Sequence, residues 1–241
     1  MGETIKIKSR EGGEFDGYLA LPAAPREPVP AIVLGSAVHG VDEDLRALTD
    51  LFASHGYIAL APDLFWRTLP GPLPRSDTRA RERIQPREEK VKTGEADLAD
   101  TLAHLRGLKD FNGRAAVIGF CYAGPYAIIG PKRLGFAAGI SCHGTNLLAY
   151  RDELEGVTAP VCIIWGDQDH AAPAEVLEAY RAVPARMKNV EVHVFPGVKH
   201  GYMMPMAGEA FDAKTREFSL QRALAILDGL RGGGERLRRA S

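Results

Sequence analysis

The chain has 241 residues, of which 45% are hydrophobic and 25% are charged, and its formal net charge is −1. This balance is typical of a globular protein, and it gives no electrostatic basis for binding nucleic acid or an anionic membrane. Three cysteines are too few and too odd in number for a disulfide framework, so we expect reduced thiols in a cytoplasmic protein. The amino-terminal stretch MGETIKIKSREGGEFDG lacks the apolar segment of a secretory signal, and no apolar run approaches the roughly 20 residues of a membrane helix.

Short apolar runs recur along the chain and predict β-strands. The first two alternate apolar and polar residues, as half-exposed edge strands do. The later runs are almost continuously apolar, which is expected for parallel strands covered on both faces. The runs are TIKIK (4–8), DGYLAL (16–21), AIVLG (31–35), YIALA (57–61), AAVIG (115–119), AAGIS (137–141), VCIIW (161–165) and VEVHVF (190–195).

Amphipathic stretches between these runs predict helices. Strands that alternate with helices favour βαβ units, and we therefore predict an α/β fold with a mostly parallel sheet flanked by helices. Residues 1–230 are predicted to form a single domain, and residues 231–241 a flexible basic tail. The predicted helices are Asp44–His55, Gly94–Arg106, Tyr122–Ile129, Ala174–Arg181 and Arg216–Leu230.

One long segment interrupts the alternation. Residues 65–90 are rich in proline and arginine and show no clear period. In an open α/β sheet, ligands bind at the carboxyl ends of the strands, and we expect this excursion to pass over that edge.

A lone thiol lies at the corner between a predicted strand and a predicted helix. Cys121 stands in the sequence Gly-Phe-Cys-Tyr-Ala-Gly, which matches the strand–turn–helix setting of a nucleophile elbow, with Gly119 and Ala123 as the small residues that the tight turn requires. Such a turn exposes the sulfur and directs free backbone N–H groups at it, which favours a thiolate. The alternative is a buried cysteine that fills the end of a strand.

Two further strand ends supply the partners that a nucleophile needs. The loop after the VCIIW strand contains Asp167 and Asp169, and the loop after the last strand contains His200. The order Cys, Asp, His along the chain is the order of the α/β-hydrolase triad. We predict His200 as the base and Asp169 as its orienting acid, and Asp167 competes as an acid or serves as a turn residue after Gly166.

The remaining histidines and cysteines carry weaker patterns. His39 and His143 each precede a glycine at a strand end and could line the same cleft. The histidines show no metal-binding spacing, so we assign no metal. Cys142 and Cys162 lie in or at the ends of apolar strands, and we predict that both are structural.

The loop after the AIVLG strand is predicted to face the elbow across the sheet. Its backbone could supply a second oxyanion donor beside the N–H of Tyr122, and we choose Val38 for that role. The alternative is an ordinary strand-to-helix turn.

Taken together, these motifs resemble the dienelactone hydrolase family, a cysteine-using branch of the α/β-hydrolases. The resemblance rests on GFCYAG (119–124), Asp169-His170 with Pro173, Lys199-His200-Gly201 and YIALAPDLFWR (57–67), and it covers residues 4 to 230. It implies an eight-stranded α/β-hydrolase fold, a triad of Cys121, His200 and Asp169, oxyanion donors at Tyr122 and Val38, and no cofactor. A monomer that hydrolyses small-molecule esters or lactones through a thioester is the expected activity.

The sequence departs from this family at positions that bear on the substrate. Ala37 stands where the family typically carries a glutamate, and Met203-Met204 stand where one carboxylate-binding arginine would fall. The second arginine falls within Arg79–Arg83. We therefore expect a more apolar pocket, for which we select Ala37, His39, Trp66, Tyr202 and Met204. The alternatives are promiscuous hydrolysis of phosphotriesters and aryl esters by the same triad, or a catalytically weak binding module.

Overall fold

The computed structural model describes residues 1–232, and these form one eight-stranded sheet with the order β1-β2-β4-β3-β5-β6-β7-β8. The last nine residues of the predicted basic tail, 233–241, lie outside the described residues. All eight predicted strands are present. They are β1 (Glu3–Lys8), β2 (Glu14–Ala20), β3 (Val29–Gly35), β4 (Ile58–Pro62), β5 (Phe111–Phe120), β6 (Ala138–Cys142), β7 (Val161–Gln168) and β8 (Val190–Lys199).

The sheet is parallel except at one edge. β1 pairs antiparallel with β2, and β2 pairs antiparallel with β4, whereas every other pairing is parallel. The mostly parallel sheet flanked by helices confirms the predicted α/β-hydrolase fold. Because β3 and β5 to β8 are parallel to one another, the loops after them open at one common edge.

Helices cover both faces of the sheet. The longest one begins seven residues earlier than predicted, at Arg87 instead of Gly94, directly after Pro86. No helix among residues 1–232 is both long enough and apolar enough to span a bilayer. The helices are α1 (Glu43–Ser54), α2 (Arg79–Glu82), α3 (Arg87–Arg106), α4 (Tyr126–Ile129), α5 (Ala174–Arg181), α6 (Val183–Arg186) and α7 (Ala213–Gly229).

The predicted helix over Tyr122–Ile129 is broken into unlike turns. A 3-10 turn covers Cys121–Ala123, α4 provides a single α-helical turn, and a π-helical turn follows over Gly130–Leu134. Pro125 and Pro131 each lack the N–H that a regular helix would use at those places, which explains the interruption. The chain that leaves the elbow is therefore held by packing more than by a helical hydrogen-bond ladder.

Alternate residues of the central strands fill two cores. Ile32 and Leu34 of β3 point into the layer that includes Leu48 of α1 and Ala223 of α7. Their neighbours Ala31 and Val33 point to the opposite layer, which contains residues of α3 together with Tyr122 and Tyr126. The side chains on both faces of these strands are fully buried, as their continuous apolar sequence predicts.

The sheet and the elbow approach each other so closely that two glycines are required. A Cβ on Gly119 would lie 2.0 Å from the carbonyl oxygen of Ala123, and a Cβ on Gly35 would lie 2.7 Å from the Cβ of Ala123. Gly35 and Gly119 are partners on β3 and β5. Only glycine at these positions lets the turn lie directly on the strands.

This contact predicts how much one methyl group added at Gly119 lowers the free energy of unfolding. Gly119→Ala should lower the free energy of unfolding by about 1–3 kcal/mol, because the backbone of Ala123 must move to admit the Cβ. Urea-induced unfolding measures the effect. Gly229→Ala is the matched control, since a Cβ there meets nothing within 4 Å, and its stability should be unchanged or slightly higher. Equal stability of the two variants would contradict the close contact.

Candidate active site

Cys121 occupies a sharp turn at the carboxyl end of β5. The strand ends at Phe120, and Cys121 has a backbone φ of 53°, in the left-handed region that non-glycine residues rarely adopt. Its side chain is partly exposed, whereas Tyr122 and Ala123 beside it are buried. The turn thus presents the sulfur at the surface of the cleft, as the elbow sequence predicts, and the alternative of a buried filler thiol does not match this placement.

His200 and Asp169 come together from two neighbouring strand ends. Asp169 follows β7, His200 follows β8, and the two strands are hydrogen-bonded to each other. The Nδ1 atom of His200 lies 2.8 Å from Oδ1 of Asp169, whose carboxylate is fully buried. The same oxygen also accepts the N–H of Ala171 at 2.8 Å. The carboxylate therefore has a fixed orientation and directs the other ring nitrogen, Nε2, away from itself.

Asp167, the competing acid, lies outside this arrangement. Its Oδ1 accepts the N–H of Gly197 at 2.7 Å, and the residue is exposed. Asp167 lies within β7 and Gly197 within β8, so this bond joins two paired strands, and Asp167 is neither in the loop nor in the turn that the sequence predicts. The geometry therefore joins Asp169, and not Asp167, to His200.

His200 is held in its protonated form by its neighbours. Burial lowers the pKa of His200, but hydrogen bonds to Asp169 and Cys121 and their negative charges outweigh burial and raise that pKa to about 10. The imidazolium is compensated on one side by the buried carboxylate of Asp169. Cys121, His200 and Asp169 thus form one electrostatically connected unit, in which a hydrogen bond joins His200 to Asp169 and Cys121 contributes to the raised pKa of the same ring.

A second histidine closes the back of this unit. The His143 ring is buried and lies edge-on to His200, with the ring centroids 5.0 Å apart. Among residues 1–232 neither of its ring nitrogens has a hydrogen-bond partner. Burial and the nearby charge of His200 lower the pKa of His143 well below its usual range, so this ring is neutral and excludes water from one side of His200.

The two proposed oxyanion donors follow neighbouring strands, Val38 after β3 and Tyr122 after β5. Val38 lies in the half-buried loop after β3, and no acceptor among the described residues takes its N–H. Its carbonyl accepts Nε of Arg83 at 2.9 Å. Arg83 comes from the 65–90 excursion and also donates to the carbonyls of Leu69 and Gly71 at 3.0 and 2.9 Å. The excursion therefore passes over the carboxyl edge of the sheet, as predicted, and is fastened to the oxyanion loop.

Arg83 is an unusual cation for this position. It is only 3% exposed, and burial lowers its pKa to about 10. Arg79, at the other end of the arginine-rich stretch, is exposed and forms an ion pair with Asp77. The family resemblance associates this stretch with binding a substrate carboxylate. In the structure, Arg83 instead bonds backbone carbonyls and Arg79 bonds a surface carboxylate.

Two of the five predicted pocket residues belong to the core. Tyr202 is fully buried, and its hydroxyl lies 3.0 Å from the hydroxyl of Ser219 on α7. Met204 is 4% exposed and packs in the same layer. Their prediction as pocket walls is wrong because the chain after His200 turns inward under α7.

A third predicted pocket residue, Trp66, also has other partners. Its ring stacks on Phe15 with centroids 5.6 Å apart, and its indole N–H donates to Asp97 of α3 at 3.1 Å. None of these contacts is with Cys121, Asp169 or His200, so Trp66 anchors the excursion to the first strands. These contacts lend no support to Trp66 as a pocket wall, which stays a prediction.

Ala37 and His39, unlike Tyr202 and Met204, are not buried in the core. Both are half-buried in the loop that carries Val38. Burial, followed by the nearby charges of Arg75, Arg83 and Arg81, lowers the pKa of His39. Ala37 brings no carboxylate to this loop.

The other thiols lie away from solvent. Cys142 is fully buried, and burial raises its pKa to about 12. Cys162 is 1% exposed, and burial likewise raises its pKa. Both are therefore protonated and inert, as the sequence predicts for structural cysteines.

Two clusters among the described residues each bring the ligand atoms of three residues within 4.8 Å of one another. In one, Glu191 is bonded to Arg222, and in the other, Asp169 is bonded to His200. A metal would have to displace a guanidinium in the first and the His200 proton in the second, so we assign no metal to either. The clusters are Cys162, Glu191 and His193, and Asp169, His170 and His200.

Three residues that contact the elbow or the oxyanion loop were not selected from the sequence. They bond backbone carbonyls of residues that are distant in the sequence. Such contacts produce no recognisable spacing between residue types. The arginine-rich composition of the excursion was the only available signal, and it pointed to a substrate carboxylate. The residues are Arg83, Arg87 and Thr145.

Comparison with known proteins identifies the family and several relatives of this chain. A sequence model described as the dienelactone hydrolase family matches residues 15–230. Carboxymethylenebutenolidase 1 of Cupriavidus pinatubonensis is 26% identical over 230 residues, which cover 94% of this chain and 97% of the relative. The carboxymethylenebutenolidase of Pseudomonas sp. strain P51 is 33% identical over 193 residues, covering 76% of this chain and 79% of the relative.

Solved structures share the fold at lower identity. A dienelactone hydrolase-like promiscuous phosphotriesterase from metagenomic libraries superposes with a TM-score of 0.78. It is 19% identical, and the match covers 96% of this chain and 99% of that one. This likeness supports the α/β-hydrolase fold.

The bond between Asp169 and His200 predicts unequal effects of two similar substitutions. Asp169→Asn should lower kcat/KM for p-nitrophenyl acetate by at least about 100-fold, because the amide can no longer stabilise the imidazolium. Asp167→Asn is the matched control and should stay within about twofold, since its oxygen can still accept from Gly197. Equal losses would contradict the assignment of Asp169.

The environment of His200 predicts its titration. NMR of the imidazole should give a midpoint near pH 10, against an ordinary value of 6.5. Because the pKa is raised on folding, protonation of His200 stabilises the fold fully below about pH 6.5, and this contribution is lost as pH rises through 10. Cys121→Ser should lower the midpoint by weakening one hydrogen bond. A midpoint near 6.5 in the unaltered protein would contradict the connected unit.

Proposed function

Because the chain belongs to the dienelactone hydrolase family and is a hydrolase of ester or lactone bonds, we propose that it cleaves them through a thioester on Cys121. The observation that carries this proposal is the arrangement around His200, whose Nδ1 lies 2.8 Å from Asp169 and whose pKa is raised by Asp169 and Cys121 together. The nucleophile, base and orienting acid are thus connected at the edge of the sheet where ligands bind in this fold class.

The first half of the reaction makes the thioester. The Cys121 thiolate attacks the carbonyl carbon, and the electron pair of the C=O bond moves to oxygen. The N–H groups of Tyr122 and Val38 stabilise this oxyanion. When the carbonyl re-forms, the C–O bond to the leaving group breaks, and the imidazolium of His200 donates its proton to the departing alkoxide.

The second half releases the acid. His200 is now neutral and takes a proton from water, whose oxygen attacks the thioester carbonyl. Collapse of the second oxyanion breaks the C–S bond and expels the thiolate, and the protonated His200 again stands beside it. Asp169 keeps its charge and its bond to Nδ1 throughout, which holds the ring in position in both halves.

The positions at which the family resemblance expects carboxylate-binding arginines indicate the kind of substrate. Met204 is buried in the core, and Arg79 is paired with Asp77. The positive groups that would hold a free carboxylate in the substrate are thus reduced in number. We infer that small neutral esters and lactones are better substrates than a lactone that carries its own carboxylate.

Phosphotriester hydrolysis is a second candidate. A structure with the same fold is described as a promiscuous phosphotriesterase, and a thiolate with two N–H donors can also stabilise a pentacoordinate phosphorus centre. An aryl phosphotriester therefore belongs in the substrate screen beside aryl esters and lactones.

Replacing the nucleophile tests the proposal. Cys121→Ala should abolish hydrolysis of p-nitrophenyl acetate, with a loss of at least about 10³-fold in kcat, while the melting temperature changes little. The thiol is partly exposed, so its removal leaves no large core cavity. Cys142→Ala is the control, because this buried thiol should affect stability and leave the chemistry intact.

Trapping the intermediate makes the test sharper. Mass spectrometry of acid-quenched enzyme should show one added acyl group, located on the peptide that contains Cys121. Activity that survives in Cys121→Ala, or acylation of another residue, would contradict the proposal. Absence of any turnover of esters, lactones and phosphotriesters would favour the binding-module alternative.

A further inference from the structure

One peptide unit of the elbow carries both a proposed oxyanion donor and an unusually well-satisfied carbonyl. The N–H of Tyr122 and the C=O of Cys121 belong to the same planar group. That carbonyl accepts the N–H of Gly124 at 3.0 Å, the N–H of Thr145 at 2.9 Å and the hydroxyl of Thr145 at 3.2 Å. Two of the three bonds come from Thr145, which follows β6 in the loop beside the elbow.

A cation holds Thr145 in turn. Nη2 of Arg87, in the first turn of α3, donates to the hydroxyl of Thr145 and to its carbonyl at 3.2 Å. The same nitrogen lies 3.3 Å from the carbonyl of Tyr122, and the guanidinium sits 5.3 Å from the centre of the Tyr122 ring. Because the Thr145 hydroxyl accepts from Arg87, its own proton is free to be donated to Cys121.

We propose that Thr145 and Arg87 are positioning residues that aim the Tyr122 N–H at the oxyanion. The proposal rests on the proposed function, because it concerns the oxyanion formed at Cys121. Neither side chain contacts the reacting atoms. They act by holding the plane of the Cys121–Tyr122 peptide from its carbonyl side.

The physical reason is the strained conformation of Cys121. With φ at 53°, this residue has no regular ladder of hydrogen bonds to hold the peptide that follows it. An oxyanion donor is effective only when its hydrogen points at the position that the oxygen will occupy, within about 2.7–3.1 Å. Bonds to the carbonyl end fix the rotation of the peptide plane, and they also polarise its N–H.

The matched pair Thr145→Val and Thr145→Ser tests the role of the hydroxyl. Valine has the shape of threonine without the hydroxyl, whereas serine keeps the hydroxyl and loses a methyl group. We expect kcat for p-nitrophenyl acetate to fall about tenfold in Thr145→Val with KM nearly unchanged, and to recover within about twofold in Thr145→Ser.

Two further measurements separate oxyanion positioning from a purely structural effect. The inhibition constant of an aryl trifluoromethyl ketone, which the thiolate converts to a hemithioketal oxyanion, should rise by the same factor as kcat/KM falls. The rate of alkylation of Cys121 by iodoacetamide should not change, because that displacement forms no oxyanion. A parallel loss in alkylation would overturn the proposal, since the residues would then act on the thiolate.

Arg87 is tested through its coupling to Thr145. Arg87→Met should lower kcat and weaken the ketone in the same way, and Arg87→Lys should do so less. The double variant Thr145→Val/Arg87→Met should lose little more than the larger single loss, because both act on one peptide. Fully additive losses, or full activity in Thr145→Val and Arg87→Met, would overturn the proposal.

The outcomes distinguish this proposal from the function on which it rests. If Cys121→Ala remains active, the proposed function fails, and this proposal fails with it. If Cys121→Ala is inactive and Thr145→Val keeps full activity and full affinity for the ketone, only the positioning role fails. If Thr145→Val does not fold, the comparison of Arg87→Lys with Arg87→Met decides, and equal activity of the two with the unaltered protein overturns the proposal.

Discussion

The active site depends on one backbone conformation, the left-handed turn at Cys121. A non-glycine residue pays about 1–2 kcal/mol to adopt this region, and it does so only where the surroundings leave no alternative. Here β5 leads directly into the turn, and Gly35 and Gly119 let the turn lie on the sheet. Three hydrogen bonds then hold the carbonyl of Cys121. This turn determines where the sulfur points and where the next N–H points, so nucleophile and oxyanion donor are set by the same constraint.

The charged residues around the turn fall into two pairs with different roles. Asp169 lies behind His200, and its buried carboxylate compensates the charge of the imidazolium. Arg83 and Arg87 lie behind the oxyanion loop and the elbow, and both bond to backbone carbonyls. A guanidinium suits that position, because its several N–H donors can satisfy several carbonyls at once. The excursion over the sheet thus connects to both walls of the cleft.

This arrangement gives the variable part of the chain a route to the chemistry. The excursion carries Arg83, and α3 begins with Arg87 within its last residues. Trp66 anchors the same segment through Phe15 and Asp97. Hydrogen bonds from Arg83 and Arg87 connect this segment to the loop after β3 and to the elbow.

The sequence by itself determined the strands, the elbow and the order of the triad. Periodicity reports which residues are buried, and the small residues around Cys121 report a tight turn, because both are local requirements. Spacing also placed Asp169 and His200 after successive strands, and parallel strands must end at one edge.

Only the tertiary structure decided what surrounds these residues. It separated Asp169 from Asp167 by a single hydrogen bond, buried Tyr202 and Met204 under α7, and brought Arg87 to Thr145 across 58 positions of sequence. Side chains that donate to distant backbone carbonyls leave no periodic pattern, because the fold and not the spacing along the chain brings the donor to the acceptor. The direction in which the chain leaves His200 is likewise set by packing against α7, and for that reason composition alone assigned those side chains to the pocket.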